Sequence, residues 1–354
     1  MTFDPLRSVH STAYPFIVIA GPCSAETENQ VMEAARALKR HHIDIFRASL
    51  WKPRTKPGGF EGVGSKGIPW LLRVRDELGM KVATEVATRA HVEEIIRANI
   101  DIIWIGARTT SSPFAMAEIA DALRGHHNIT VFIKNPINPD IELWIGAIER
   151  LREAGINKIG AIHRGFSTYG QSVYRNPPHW QIPIELKRRY PTLTLIGDPS
   201  HITGKRELVA EVCQTSLDMH YDGLIVESHC HPAEAQSDSR QQITPDELGD
   251  ILTQLKVHKR GDDNSFLLEA WRKQIDQIDE QLIELLSDRM VLAEMIGDFK
   301  ANHNLCIVQP PRYKDMLEKR MAKGGSTGLD ASFIKDIFST IHEQSVLIQQ
   351  SKKK

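Results

Sequence analysis

Nine residues capable of chemistry, Cys23, Arg47, Lys52, Glu85, Arg108, Lys134, Arg164, His201 and Glu227, each stand at or just after the end of a short β-branched run. Arg47, Lys52, Arg108, Lys134 and Arg164, joined by Arg54, are more cations than a neutral substrate needs. Guanidinium forks grip phosphate and carboxylate oxygens in pairs, so a site that gathers them holds a multiply anionic ligand, or two ligands. Cys23, His201, Glu227 and, eleven residues further on, Asp238 form a mixed sulfur, nitrogen and oxygen set. That donor chemistry suits a divalent transition metal better than Mg2+. Any one of these residues alone reads as a solvated loop charge or a small core residue. Their recurrence after strand upon strand is what argues for a site.

The elements that must position them are the runs FIVIA, DIFRAS, KVATEV, IIWIG, VFIK, KIGAI, LTLIG and GLIVE, each followed by a longer amphipathic segment. Eight such units before about residue 255 predict an α/β fold, a (β/α)8 TIM barrel, with a doubly wound open sheet as the competitor. In a barrel the strand C-termini converge on one mouth. In an open sheet the same residues are strung along an edge, where most cannot share a ligand. The placement of the polar residues therefore favours the barrel.

Composition separates a second part. Of 18 prolines and 23 glycines, 16 and 18 lie before residue 256. Residues 1–255 and 266–354 are thus expected as two differently built domains, joined by the polar stretch 256–265 as a linker. With 44 Lys+Arg against 45 Asp+Glu the formal net charge is −1. This argues against nucleic-acid or membrane-surface binding. Four scattered cysteines and the lack of an apolar leader or span point to thiols in a reducing cytoplasm.

The strings GPCS, FRASLWKPRT, GAR, IKN, HRG, DPSH, IVESH and SDSRQQ, in this order, resemble the 3-deoxy-D-arabino-heptulosonate 7-phosphate (DAHP) synthases, in their short form. The resemblance covers the whole first domain, and KPRT with DPSH is its most specific part. It implies condensation of phosphoenolpyruvate with erythrose 4-phosphate, the first shikimate-pathway step. It further implies Cys23, His201, Glu227 and Asp238 as ligands of a divalent metal, Mn2+ foremost. Arg108, Lys134 and Arg164 would clamp phosphoenolpyruvate with Arg47 and Lys52 beside them, while Arg54 and Thr55 would hold the sugar phosphate. Lys52 or Lys134 would move a proton. KPRTKP, where many relatives read KPRTSP, is one departure, placing Lys56 at the rim. The related 3-deoxy-D-manno-octulosonate 8-phosphate synthases are the alternative.

In the second part, apolar residues recur in steps of three and four at Leu268, Trp271, Ile275, Ile278, Leu282, Leu285, Leu292, Ile296 and Phe299. This predicts a helix of about 35 residues, roughly 50 Å long at ~1.5 Å per residue. Pro310 and Pro311 open a second helix expected to end near Lys323, and 330–350 form a third. Arg289 fills a slot of the apolar seam. Either an anionic ligand or a carboxylate such as Glu343 must answer its charge. Along a helix Arg289 and Lys300 lie about 16 Å apart, close enough to share a small ligand, whereas Arg272 lies about 25 Å from Arg289. Arg272 could join only from an antiparallel copy, so a homodimer is expected.

This part, over residues 266–350, resembles the all-helical chorismate mutases of the AroQ type. The pattern is LEAWRKQIDQIDEQLIELLSDR, then Lys300, Arg312 and SVLIQQ. The resemblance implies a cofactor-free rearrangement of chorismate to prephenate. Arg272 of a second copy, Arg289 and Arg312 would hold the carboxylates, and Lys300 and Gln349 the ether oxygen, with Ser345 nearby. Gln309 and Tyr313 depart from the acidic residues common there. A helical module serving only dimerisation or effector binding is the alternative. Together the readings describe a bifunctional enzyme with small-molecule partners and feedback between its halves.

Overall fold

The computed structural model describes residues 3–4, 6, 10, 13–53, 58–100, 102–168, 172–257 and 266–351, of which 266–270 by backbone alone. Two compact units emerge, Met1–Arg260 and Gly261–Lys354. Arg54, Thr55 and Lys56, and residues 258–265 of the expected linker, lie outside the described residues.

In the first unit eight parallel strands close into a barrel in sequence order. They are β1 (Ile17–Gly21), β2 (Ile45–Arg47), β3 (Lys81–Val86), β4 (Ile102–Ile105), β5 (Thr130–Lys134), β6 (Lys158–His163), β7 (Thr194–Gly197) and β8 (Gly223–Glu227). β8 returns to β1 with Ile17 paired to Gly223 and Gly21 to Glu227, which closes the ring. The open-sheet alternative is thereby excluded.

Strand side chains alternate between two packed layers. Ile17, Ile19, Ile45, Ala83, Ile102, Trp104, Phe132, Ile162, Ile196 and Ile225 fill the barrel interior, together with the buried Leu6. Their neighbours in sequence, such as Val18, Ala20, Phe46, Ile103 and Val131, pack outward against the helices. The parity of this alternation decides which strand-end residues face the mouth. Arg47, Glu85, Lys134 and Glu227 each follow an interior residue by two, so they continue the inward row. His163 follows Ile162 by one and faces outward.

The second unit is three helices, Phe266–Asn302, Pro310–Ser326 and Ala331–Ser351, the last packing against both others. The middle helix runs through Gly324 and Gly325 instead of ending near Lys323. A Cβ at buried Gly324 would lie 2.5 Å from Ile334, so glycine here lets two helices approach instead of breaking one. Trp271, Ile275, Ile278, Leu282, Leu285, Leu292, Ile296 and Phe299 remain exposed along the long helix. Among the described residues no helix is long and apolar enough to cross a membrane.

Candidate active sites

At the C-terminal mouth of the barrel a cavity of about 470 Å3 is lined by Lys52, Glu85, Arg108, Lys134, Arg164, Arg175, His201 and Asp238, among others. Five of these are cations. Arg164 is fixed from several sides. Its backbone N–H donates to Asn135 Oδ1 at 2.7 Å, and its Nη1 donates to Asn176 Oδ1 at 2.9 Å. Burial, reinforced by Arg175 and Arg108, pushes the Arg164 guanidinium down to about 10, still charged at neutral pH. Lys134 is buried and donates to Asp198 at 2.7 Å. Burial would raise the Asp198 carboxyl, but His201 and Lys134 hold it well below the usual carboxylate range.

Beside this cavity the ligand atoms of Cys23, Glu227 and Asp238 lie within 4.8 Å of one another. His201 stands at their edge, its Nε2 3.6 Å from Glu227 Oε1. Its Nδ1 is held 2.9 Å from Asp198 Oδ2, so the tautomer with a proton on Nδ1 leaves Nε2 a lone pair toward the cluster. Asp198 is also the N-cap of the short helix Pro199–Thr203 that presents His201, its side chain accepting from His201 N. Glu227 Oε1 is buried with no hydrogen-bond partner among the described residues, while Oε2 accepts from Gln241 at 2.7 Å. An orphaned carboxylate oxygen facing an imidazole lone pair, a thiol and a second carboxylate is the donor set of a divalent metal, and the residues present fit one.

The acidity of the cluster follows from this crowding. Burial and the neighbouring Glu227 push the Cys23 thiol up to about 12. Burial would lower Lys52, but Cys23, Glu85, Glu227 and Asp238 hold it above its ordinary value, so it is an ammonium. Burial would raise Glu227 and Asp238. The His201 imidazole and the Arg47 guanidinium beside Glu227, and the Lys52 ammonium beside Asp238, keep both below the ordinary range.

Arg47, expected beside the anion clamp, stands on the Glu227 side of the site. It is buried under the cluster, 3.4 Å from Glu227 Oε1, with Nη2 donating to the Cys23 carbonyl at 3.0 Å and the guanidinium 4.7 Å from the Trp104 ring centre. Arg47 is not among the residues that line the cavity, and its Nε and Nη1 are buried without a hydrogen-bond partner among the described residues. Asp198, Gln241, Arg175 and Asn176 were missed by the sequence reading. Asp198 stood within the quoted string DPSH and Gln241 within SDSRQQ, without a role assigned to either.

In the helical unit a second cavity of about 480 Å3 is lined by Arg289, Lys300, Arg312, Ser345 and Gln349, with Gln309, Tyr313, Arg320 and His342 also on its wall. Arg289 Nη1 donates to Ser345 Oγ, and also to the Ile341 carbonyl at 3.4 Å, not to Glu343. Lys300 Nζ donates to Gln349 Oε1 at 3.0 Å, a pair that a ligand oxygen can enter. Among the described residues no Asp or Glu is on this wall. Arg272 is exposed and outside the cavity. Tyr313 stacks on His342 at 4.4 Å and its hydroxyl lies 3.1 Å from Ser339 Oγ.

An inward cluster with metal-ligand chemistry, set beside Arg108, Lys134 and Arg164 at a barrel mouth, suits an enzyme of the class that handles phosphorylated, multiply anionic substrates. The helical pocket gathers Arg289, Lys300, Arg312 and Arg320 around a space suited to an anionic ligand. Comparison with known families agrees. Residues 8–260 match the DAHP synthetase I family and residues 271–350 match chorismate mutase type II. The chain belongs to the DAHP synthetase I family, with a chorismate mutase domain fused behind the barrel, and both parts are enzymatic. It is 31% identical over 241 residues to a phospho-2-dehydro-3-deoxyheptonate aldolase of Thermotoga maritima, covering 68% of this chain and 69% of that one. It is 27% identical to a 2-dehydro-3-deoxyphosphooctonate aldolase of Vesicomyosocius okutanii, covering 69% of this chain and 90% of the relative. The crystal structure of the Thermotoga maritima DAHP synthase superposes with TM-score 0.61 at 30% identity, covering 68% of each chain.

Proposed function

We propose that the barrel condenses phosphoenolpyruvate with erythrose 4-phosphate in a metal-dependent reaction, and that the helical unit, as a homodimer, rearranges chorismate to prephenate. Residues 1–255 are read as the synthase, 256–265 as the linker and 266–354 as the mutase. The observation that carries the first half is the convergence of Lys52, Arg108, Lys134 and Arg164 on one cavity bordered by the Cys23, Glu227 and Asp238 cluster.

Cys23, His201, Glu227 and Asp238 would hold the ion. Bound there, a divalent ion such as Mn2+ would act as a Lewis acid on the aldehyde oxygen. Arg108, Lys134 and Arg164 fix the phosphate and carboxylate of phosphoenolpyruvate, which orients the enol face for attack. Lys52 lines the same cavity and is held charged by the Glu85, Glu227 and Asp238 carboxylates around it. It is the ammonium within the cavity from which a proton can pass to an oxygen formed there. Arg54 and Thr55, two and three residues after Lys52 in sequence, are assigned to the sugar phosphate by the resemblance alone.

In the mutase, Arg289 and Arg312 hold the two carboxylates, and Lys300 with Gln349 stabilises charge on the breaking ether oxygen. The exposed apolar face of the long helix supports pairing with a second copy, whose Arg272 would complete the site. We further propose that a ligand in the helical site, chorismate or prephenate, lowers barrel activity, and that the enzyme works in the cytoplasm.

Mass spectrometry of the product formed from phosphoenolpyruvate tests the reading. Erythrose 4-phosphate is expected to be consumed and arabinose 5-phosphate left untouched, the reverse contradicting it. Loss of condensation with a chelator and its return with Mn2+ is expected. Undiminished activity in the chelator removes the metal. Prephenate sensitivity that survives Arg289→Ala contradicts the feedback.

A further inference from the structure

Arg175 and Asn176 stand in the loop after β6, and neither is accounted for above. Asn176 is 5% exposed, and the two ends of its amide reach opposite halves of the barrel site. Oδ1 accepts from Arg164 Nη1 at 2.9 Å, and Nδ2 donates to the His201 carbonyl at 2.6 Å. The backbone N–H groups of Arg175 and Asn176 donate to the carbonyls of Thr203 and Ile202 at 3.1 and 3.0 Å, lacing the pair to the helix that presents His201. On the other side a Cβ at Gly165, whose φ is +77°, would lie 2.1 Å from the Asn176 carbonyl oxygen. Glycine at 165 therefore serves both the left-handed backbone and this close approach. Arg175 Nη1 donates to Asp238 Oδ1 at 3.1 Å and to Gln241 Oε1 at 2.8 Å, and Gln241 in turn holds Glu227. One dipeptide thus touches the anion clamp, the main chain of one ligand residue and the carboxylate of another, and reaches a third through Gln241.

We propose that Asn176 is a positioning residue that couples occupancy of the Arg164 anion site to occupancy of the metal site. The proposal rests on the functional reading given above. An anion on Arg164 fixes the guanidinium, the guanidinium fixes the Asn176 amide, and the amide fixes the backbone from which His201 projects. The amide is short and hydrogen-bonded at both ends, so it transmits an adjustment of about an ångström or less instead of absorbing it. Coupling between two binding sites is reciprocal, so each ligand must tighten the other by the same factor.

The test is calorimetric titration of the full chain with Mn2+, with and without phosphoenolpyruvate, and of phosphoenolpyruvate with and without Mn2+. The wild type is expected to show equal reciprocal tightening of about fivefold or more. Asn176→Asp keeps the acceptor for Arg164 and loses the donor to His201. Both ligands are expected still to bind it, with the tightening reduced about fivefold to what direct attraction between the ligand charges supplies. Asn176→Ala is expected to show the same residual tightening and to bind phosphoenolpyruvate more weakly. Unreduced coupling in both variants, or none in the wild type, overturns the proposal while leaving the functional reading intact. Failure of the wild type to bind either ligand sinks both.

Discussion

Replacing Arg47 by Met should cost stability that a divalent metal restores. Arg47 is 1% exposed and Glu227 fully buried, and they face each other at 3.4 Å with Trp104 beneath the guanidinium. Methionine fills a similar volume over the indole but leaves Glu227 as a buried carboxylate without this partner. Breaking a buried pair from one side costs about 3–5 kcal/mol. At about 2–4 °C per kcal/mol for a domain of this size, the metal-free variant should melt about 6–20 °C lower. A divalent cation against Glu227 supplies the missing positive charge, so with saturating Mn2+ the deficit should shrink to a small part of that. Mn2+ should also bind the variant more tightly, because a cation 3.4 Å from a ligand carboxylate has been removed. Thermal unfolding of both proteins with chelator and with Mn2+ reads all of this at once. Equal losses in the two conditions, or weaker Mn2+ binding by the variant, would refute the reasoning.

Three further outcomes follow from the same geometry. His163 is buried between the Pro178 carbonyl at 2.7 Å and the Tyr221 hydroxyl at 2.9 Å, and burial pushes its pKa down to about 3. It is neutral in both states above pH ~6.5. Below that the unfolded chain takes a proton the folded one refuses, so stability falls by about 1.4 kcal/mol per pH unit until the folded pKa is reached. His163→Gln should remove that share of the slope in urea unfolding between pH 6 and 4; an unchanged slope would show the imidazole is not excluded from titration. Asp198→Asn withdraws the charge that orients His201 and partners Lys134. Mn2+ affinity should drop about 10–100-fold, and a titration showing no change would contradict that role. Arg289→Ala should slow chorismate turnover about 100-fold or more. Condensation by the barrel should continue, and a parallel loss there would mean the two sites are not separate.

Much of the barrel was legible because strand burial has a period of two and the runs are β-branched. The same period explains both success and failure at the mouth. Lys134, Glu85 and Glu227 lie two residues beyond interior side chains and point inward, as the strand-end pattern anticipated. Arg47 obeys the same parity, but β2 is offset so that Arg47 pairs with Ala83, one inward layer below Glu85, and it sits under Glu227 instead of at the rim. Residues that hold the site in place were not legible. Asn176 meets His201 across 25 residues and Arg175 meets Asp238 across 63, and no local period records such contacts. In the helical unit the spacing of Arg289 and Lys300 was readable from helix geometry alone. The approach of Ser345 and Gln349 depended on a third helix whose packing only the structure supplies. His342 and Arg320, on the same wall, gave no signal in the sequence.

The central claim is that one chain carries two separate active sites. Its most direct measurement is made on a single purified preparation, in which phosphoenolpyruvate consumption with erythrose 4-phosphate and chorismate loss are followed side by side with and without chelator. Both activities are predicted, with the chelator stopping only the first. Absence of either activity, or a chelator that stops chorismate loss as well, would contradict the account.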